Sequence, residues 1–129
     1  MSNERINPPT MYDAVRFGFS HATLQKSGRT MYLAGQVASD ANNNVVGGSD
    51  LAAQARQALA NLQEVLRSVG CTPADVLRLR TYVVNHSPDK LEPVLSAMHE
   101  FYRGAVPAPN TWNGVSALAL PDFLIEIEA

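Results

Sequence analysis

The chain has 129 residues, 46% hydrophobic and 17% charged, with a formal net charge of −2. That length suits one domain with a core of its own, and the mixed composition excludes disordered and collagen-like classes. No apolar run approaches the roughly 20 residues of a spanning helix. No basic run offers the stripe that nucleic acid binding through phosphates needs. Neither a membrane nor a nucleic acid is therefore an expected partner.

Residues 1–129 are predicted to form a single domain. Met1 to Pro9 shows no basic-then-apolar leader pattern, which predicts a cytoplasmic chain. Residues 1–12 are polar, carry Pro8-Pro9 and predict an extended N-terminal arm. Phe19 to Gln25 alternates, and Thr30 to Gln36 is rich in strand formers. With a turn at Gly28 between them, the two runs predict a β-hairpin. Ser39 to Gly48 predicts a loop, with Val45-Val46 as a short strand at most.

The clearest element is a helix opened by Ser49 or Asp50. Its apolar stripe runs through Leu51, Ala55, Ala58, Leu59, Leu62, Val65, Leu66 and Val69 at three- and four-residue steps. Gly70 stands where a left-handed cap belongs, and Thr72-Pro73 starts a short turn. Val76 to Val84 predicts a strand with Leu77, Leu79, Thr81 and Val83 on one face and Arg78, Arg80 and Tyr82 on the other. Ser87-Pro88-Asp89 predicts a second helix. Its regular part starts near Lys90 or Leu91, because Pro93 is tolerated only in a first turn. Leu91, Val94, Leu95, Met98 and Phe101 or Tyr102 form its stripe. Thr111 to Leu118 and Phe123 to Glu128 predict two closing strands. The order ββ(β)αβαββ predicts an α+β fold, one mixed sheet with both helices packed on one face. An apolar second face would need covering by further copies of the chain.

Candidate chemistry is sparse. His21, His86 and His99 share no metal-ligand spacing, and lone Cys71 cannot build a thiolate cage, so no metal and no cofactor are expected. Gly47-Gly48 ahead of a helix is too short a fingerprint for a phosphate loop. Arg78 and Arg80 suit either an anion grip or a solvated or inter-subunit face. Glu126 and Glu128 alternate with Ile125 and Ile127, so both carboxylates share the face opposite the isoleucines. Such a carboxylate either faces solvent or, in a cleft, serves as a general base.

Three segments resemble one family. Leu33-Ala34-Gly35-Gln36-Val37 is similar to the Ser-Gly-Gln segment of the Rid (YjgF-type) reactive intermediate deaminases. Gln54 to Gly70 followed by Cys71-Thr72 resembles that family's long helix. Gly114-Val115-Ser116-Ala117-Leu118-Ala119-Leu120-Pro121, leading into Ile125-Glu126-Ile127-Glu128-Ala129, resembles its C-terminal signature. The resemblance covers nearly the whole chain from about Phe19. It implies a chorismate-mutase-like fold, a homotrimer, small-molecule clefts between subunits, and hydrolysis of enamines or imines such as 2-aminoacrylate to a keto acid and ammonia. Some members have been labelled translation inhibitors or ribonucleases.

Residue by residue, the family's water-activating glutamate matches Glu126 and its cleft glycine matches Gly35. Its site tyrosine falls on Phe19, its carboxylate-gripping arginine on Asn110, and a substrate-facing backbone N–H on Trp112. Ala34 stands where many members have serine. Asparagine lacks the guanidinium fork, so the cleft around Asn110, Thr111 and Trp112 is expected to be less positive and more aromatic. The expected activity is therefore enamine or imine hydrolysis with 2-aminoacrylate disfavoured. The alternatives are a non-enzymatic binding or regulatory trimer and, against the absent basic stripe, a ribonuclease.

Overall fold

The computed structural model describes residues 3–129. Its main elements follow in the order β1 (Asn3–Ile6), β2 (Ala22–Gln25), α1 (Leu51–Ser68), β3 (Leu79–Val84), α2 (Leu91–Tyr102), β4 (Asn110–Val115) and β5 (Ile125–Glu128). The architecture is α+β. Among the described residues no helix is long and apolar enough to cross a membrane.

Local chemistry sets the helix ends. Asp50 has extended backbone, and its carboxylate accepts the N–H of Ala53 at 3.2 Å, satisfying one of the orphan donors of α1. At the other end Gly70 takes φ +76°. The N–H groups of Gly70 and Cys71 then reach back to the carbonyls of Arg67 and Leu66, the pattern of a left-handed cap. A 3-10 turn over Pro88–Lys90 precedes α2. Pro93 thus lies in the first turn, where its missing N–H has no intrahelical partner to lose.

β3 is the middle strand of a three-stranded sheet, parallel to β4 and antiparallel to β5. Residues directly opposite share a face. Leu79, Thr81 and Val83 are buried together with Ile125 and Ile127. They form one core with Leu59 and Leu62 of α1 and Val94 and Met98 of α2, so both helices cover the same face. The opposite face carries Arg80, Tyr82, Glu126 and Glu128, all partly exposed.

Several expectations need correction. There are two sheets, since β1 and β2 form a separate antiparallel pair. The predicted hairpin does not form. β2 pairs with Asn3–Ile6 of the N-terminal arm, and the Leu33 to Gln36 part of the second run instead lies beside β5. There the N–H of Leu33 donates to the carbonyl of Ala129, and Gln36 and Ile127 exchange both backbone bonds. Burial of Leu33 explains this choice, because beside β5 its side chain joins the core. The arm is held by Arg5, whose guanidinium donates to Thr23 Oγ1 at 3.0 Å, to the carbonyl of Ala74 at 3.0 Å and to that of Val106 at 3.3 Å. Met1 and Ser2 of the predicted arm lie outside the described residues. Val45 makes only an isolated bridge with Ser39. The three-stranded sheet is also shorter than predicted. β3 starts at Leu79, β4 spans Asn110–Val115 and β5 starts at Ile125. The N–H of Phe123 closes a turn on the carbonyl of Leu120 and that of Leu124 is taken by Gln54 Oε1, so the ladder of β5 begins only at Ile125.

One buried polar side chain ties α1 to the entry of β5. Gln54 is fully buried, and its amide Nε2 donates to the carbonyls of Gly48 at 2.7 Å and Asp122 at 2.9 Å. Its Oε1 accepts the N–H of Leu124 at 2.9 Å. Gln54→Leu keeps the bulk but leaves those three backbone groups unpaired. Each unmade buried bond costs about 1–3 kcal/mol, so unfolding in urea should show a loss of about 3 kcal/mol. A loss under about 0.5 kcal/mol would show that water replaces the amide without penalty.

Candidate functional site

The open face of the three-stranded sheet is the candidate site. Its rows follow from the register. Thr111, Arg80 and Glu128 lie in one row, and Asn113, Tyr82 and Glu126 in the next. The period of two that buries Leu79, Thr81 and Val83 puts these groups outside.

The two glutamates of β5 have different surroundings. Glu128 is engaged: the hydroxyl of Tyr82 donates to it, and Arg80 lies 3.7 Å away. The bond to Glu128 holds the Tyr82 hydroxyl above the usual phenol range, desolvation adds to this, and Arg80 opposes it. Tyr82 therefore keeps its proton at neutral pH. Glu126 makes no side-chain hydrogen bond or ion pair among the described residues. Its carboxylate lies over Gly35. A Cβ placed on Gly35 would stand 1.9 Å from Glu126 Oε2 and 2.6 Å from its carboxyl carbon. The close approach requires glycine at that position. Gly35 is held there by the exchange between neighbouring Gln36 and Ile127. The result is a partly buried carboxylate with free acceptor capacity, seated against backbone on an open face.

The remaining predicted site residues divide between places. Thr111 is on the same face as Glu126, exposed at the outer strand. Asn110 and Trp112 are on the opposite face, in register with Leu79 and Thr81. Asn110 Oδ1 accepts from Thr81 Oγ1 at 3.1 Å, and its Nδ2 points to Met98 Sδ at 3.5 Å. Its side chain is thus bonded toward α2. Trp112 packs against the core, and its Nε1 donates to His86 Nδ1 at 3.3 Å. That contact requires His86 Nδ1 to be unprotonated. Phe19 belongs to a third group, with ring centroids 6.4 Å from Tyr12 and 6.1 Å from His21.

The backbone of β4 adds a feature that the side chains do not. β4 is an edge strand. The N–H of Leu79 donates to the carbonyl of Pro109, and that of Asn85 to Val115. The alternation of a parallel ladder then directs the backbone groups of Thr111, Asn113 and Val115 toward β3. The backbone groups of Asn110, Trp112 and Gly114 are turned to the open edge, where the Trp112 N–H is available to an acceptor.

Sequence reading did not identify Tyr82 as the partner of Glu128 or Gly35 as the seat of Glu126. The first was accessible in principle, since Arg80, Tyr82, Glu126 and Glu128 all fall on the polar phase of their strands. Among the described residues no cluster of three His, Cys, Asp or Glu side chains is arranged to hold a metal ion. The chemistry available is that of a carboxylate, a protonated phenol, a guanidinium and edge N–H groups. Such a set can accept a proton from water and stabilise a polar or anionic ligand.

Known proteins are similar to this chain in sequence and fold. The family model described as Endoribonuclease L-PSP matches residues 13–129. A Yersinia pestis protein of the conserved Rid family, YyfB, described as of unknown function, has a crystal structure similar to this chain. It superposes with a TM-score of 0.97 at 62% identity, over 100% of this chain and 97% of its own. A RutC family protein of Sulfurisphaera tokodaii is 31% identical over 103 residues, 79% of this chain and 78% of its own. The 2-iminobutanoate/2-iminopropanoate deaminase of Rattus norvegicus is 31% identical over 102 residues, 78% of this chain and 71% of its own. The matched span takes in α1, the central sheet and the Gly35–Glu126 seat, and the chain belongs to the Rid (YjgF-type) family that the Endoribonuclease L-PSP model describes.

Proposed function

We propose that this chain is an enamine or imine deaminase, acting as a homotrimer with its ligand clefts between subunits. The observation that carries the reading is the Glu126 carboxylate seated over Gly35 without a partner of its own. Water placed beside Glu126 gives up a proton to the carboxylate as its oxygen attacks the carbon of the C=N bond. Glu126 returns that proton to the nitrogen to give the carbinolamine, whose hydroxyl proton then passes through Glu126 to the nitrogen as the C–N bond breaks, releasing ammonia and a carbonyl product. Glu126 serves first as base and then as acid. Edge N–H groups such as that of Trp112 are suited to hold an oxygen of the substrate. Names of relatives such as the rat deaminase support the reaction class. The bare outer face of the sheet and the unpaired edge of β4 support assembly, since both leave groups that a neighbouring copy satisfies.

Small 2-imino acids fit this chain less well than they fit a relative with arginine at the Asn110 position. Asparagine has no charge there, and its amide is bonded to Thr81 and directed at Met98. A hydrogen bond to a charged group is worth about 1.5–3 kcal/mol, so losing one lowers kcat/KM by about 10- to 100-fold.

An amino acid oxidase that releases 2-imino acids, coupled to ammonia detection, tests the reading. Wild type should accelerate hydrolysis, more slowly than an arginine-containing relative. Glu126→Gln should lose about 100-fold or more, the usual contribution of a general base. Gly35→Ala should lose activity comparably while unfolding within about 1 kcal/mol of wild type, because its methyl displaces side-chain atoms of Glu126 and meets no backbone nearby. Unchanged turnover in both variants would remove Glu126 from the chemistry.

Sedimentation velocity checks the assembly. A single species of three chains at micromolar concentration is expected, and a monomer would contradict clefts built between subunits.

A further inference from the structure

The phenol of Tyr82 passes over its direct cross-strand partner. Tyr82 and Glu126 stand opposite one another in the register of β3 and β5, on the open face. Side chains so placed start about 4.5–5.5 Å apart at Cβ. The Tyr82 hydroxyl nevertheless donates to Glu128, further along β5 and on the diagonal. Glu128 has Arg80 as its own direct partner, 3.7 Å away. The Glu126 carboxylate turns the other way, over Gly35, on the side of β5 that faces away from β3.

Which carboxylate receives the phenol matters for a base. A hydrogen bond to a carboxylate favours its charged form and weakens its hold on a proton. Bonded by Tyr82, Glu126 would be the poorer acceptor of a proton from water. A phenol has one proton to donate, so Tyr82 cannot serve both glutamates. The other charged groups around Glu126 are Arg80, Glu128 and, at the end of β5, the Ala129 carboxylate. Residues 33–36 carry no titratable side chain, and neither do Thr111 and Asn113 of β4 on the same face.

We propose that Glu128 is a positioning residue: paired with Arg80, it holds the Tyr82 phenol off Glu126 and keeps Glu126 a free base. The inference rests on the reading of Glu126 as the group that takes the proton from water. It needs no free outer face, because Glu128, Arg80 and Tyr82 act on one another within one chain. A neighbouring copy bordering the cleft contributes alike to every variant and cancels in a double-mutant cycle.

The experiment is that cycle on the full chain: wild type, Glu128→Ala, Tyr82→Phe and the double variant. Glu128 is partly exposed, so its removal leaves the core intact. One readout is carbon-13 NMR of chain labelled at the glutamate carboxyl carbons, with the Glu126 signal identified by its loss in Glu126→Gln and followed against pH. The other is kcat/KM in the coupled imine assay. With Tyr82 present, Glu128→Ala should move the Glu126 titration down by about one pH unit or more, the worth of one hydrogen bond to a charged group. Loss of the Glu128 charge pulls the same way and persists without the phenol, so in the Tyr82→Phe background the same change should move it by less than about half a unit. Likewise kcat/KM should fall about 10-fold with Tyr82 present and less than about 3-fold in the Tyr82→Phe background. Equal shifts in the two backgrounds, or no shift in either, would overturn the proposal. A wild type inert on imines would refute the deaminase reading instead, and the NMR cycle would still decide the role of Glu128.

Discussion

The absence of a side chain at Gly35 is the constraint on which the candidate site depends. Any Cβ there would occupy the position of the Glu126 carboxylate, 1.9 Å from one of its oxygens. The arrangement needs two distant parts of the sequence in exact register. Gln36 and Ile127 supply that register by exchanging backbone hydrogen bonds next to the seat. Gln54 supports it from behind the sheet, fixing Asp122 and Leu124 just before β5 begins. The core under Ile125 and Ile127 settles which way Glu126 points. Core packing, one buried amide and one missing methyl therefore act on a single carboxylate.

The sheet separates two kinds of polar group. On the helix side, Asn110, Thr81 and Met98 form a small buried cluster, and Trp112 is tied to His86. On the open side, Glu128 is paired with Arg80 and bonded by Tyr82, while Glu126 has no side-chain partner among the described residues. The distinction between two glutamates that look equivalent in Ile125-Glu126-Ile127-Glu128 comes from their cross-strand neighbours. Tyr82 and Arg80 both reach toward Glu128. Asn110 has its side chain bonded to Thr81 and directed at Met98, on the helix side, whereas Arg80 of β3 stands on the open side beside Glu128.

Much of this was legible in the sequence because it is local. The alternation through Leu79, Thr81 and Val83 marked the buried face, Asp50 and Gly70 marked the ends of α1, and Pro93 marked a first turn. The pairing of β2 was not legible. Thr30 to Gln36 has strand composition, and its destination was decided by burial of Leu33 beside β5 and by the hydrogen bonds of Arg5 that hold β1 in place. The direction of Asn110 was hidden for a similar reason. A shift of one residue in register reverses a side chain's face, and composition does not fix the starting residue of a short edge strand. Resemblance located Gly35 and Glu126 separately, and only the tertiary structure explains why one requires the other.

Chemical rescue tests the central claim most directly. In Glu126→Ala the space over Gly35 is vacated, and added formate can supply the missing carboxylate. Imine hydrolysis by Glu126→Ala should be strongly reduced and should recover in a saturable manner with formate. Adding Gly35→Ala, which fills the seat, should abolish that recovery. Wild-type turnover by Glu126→Ala without formate would contradict the assignment of Glu126 as the water-activating group.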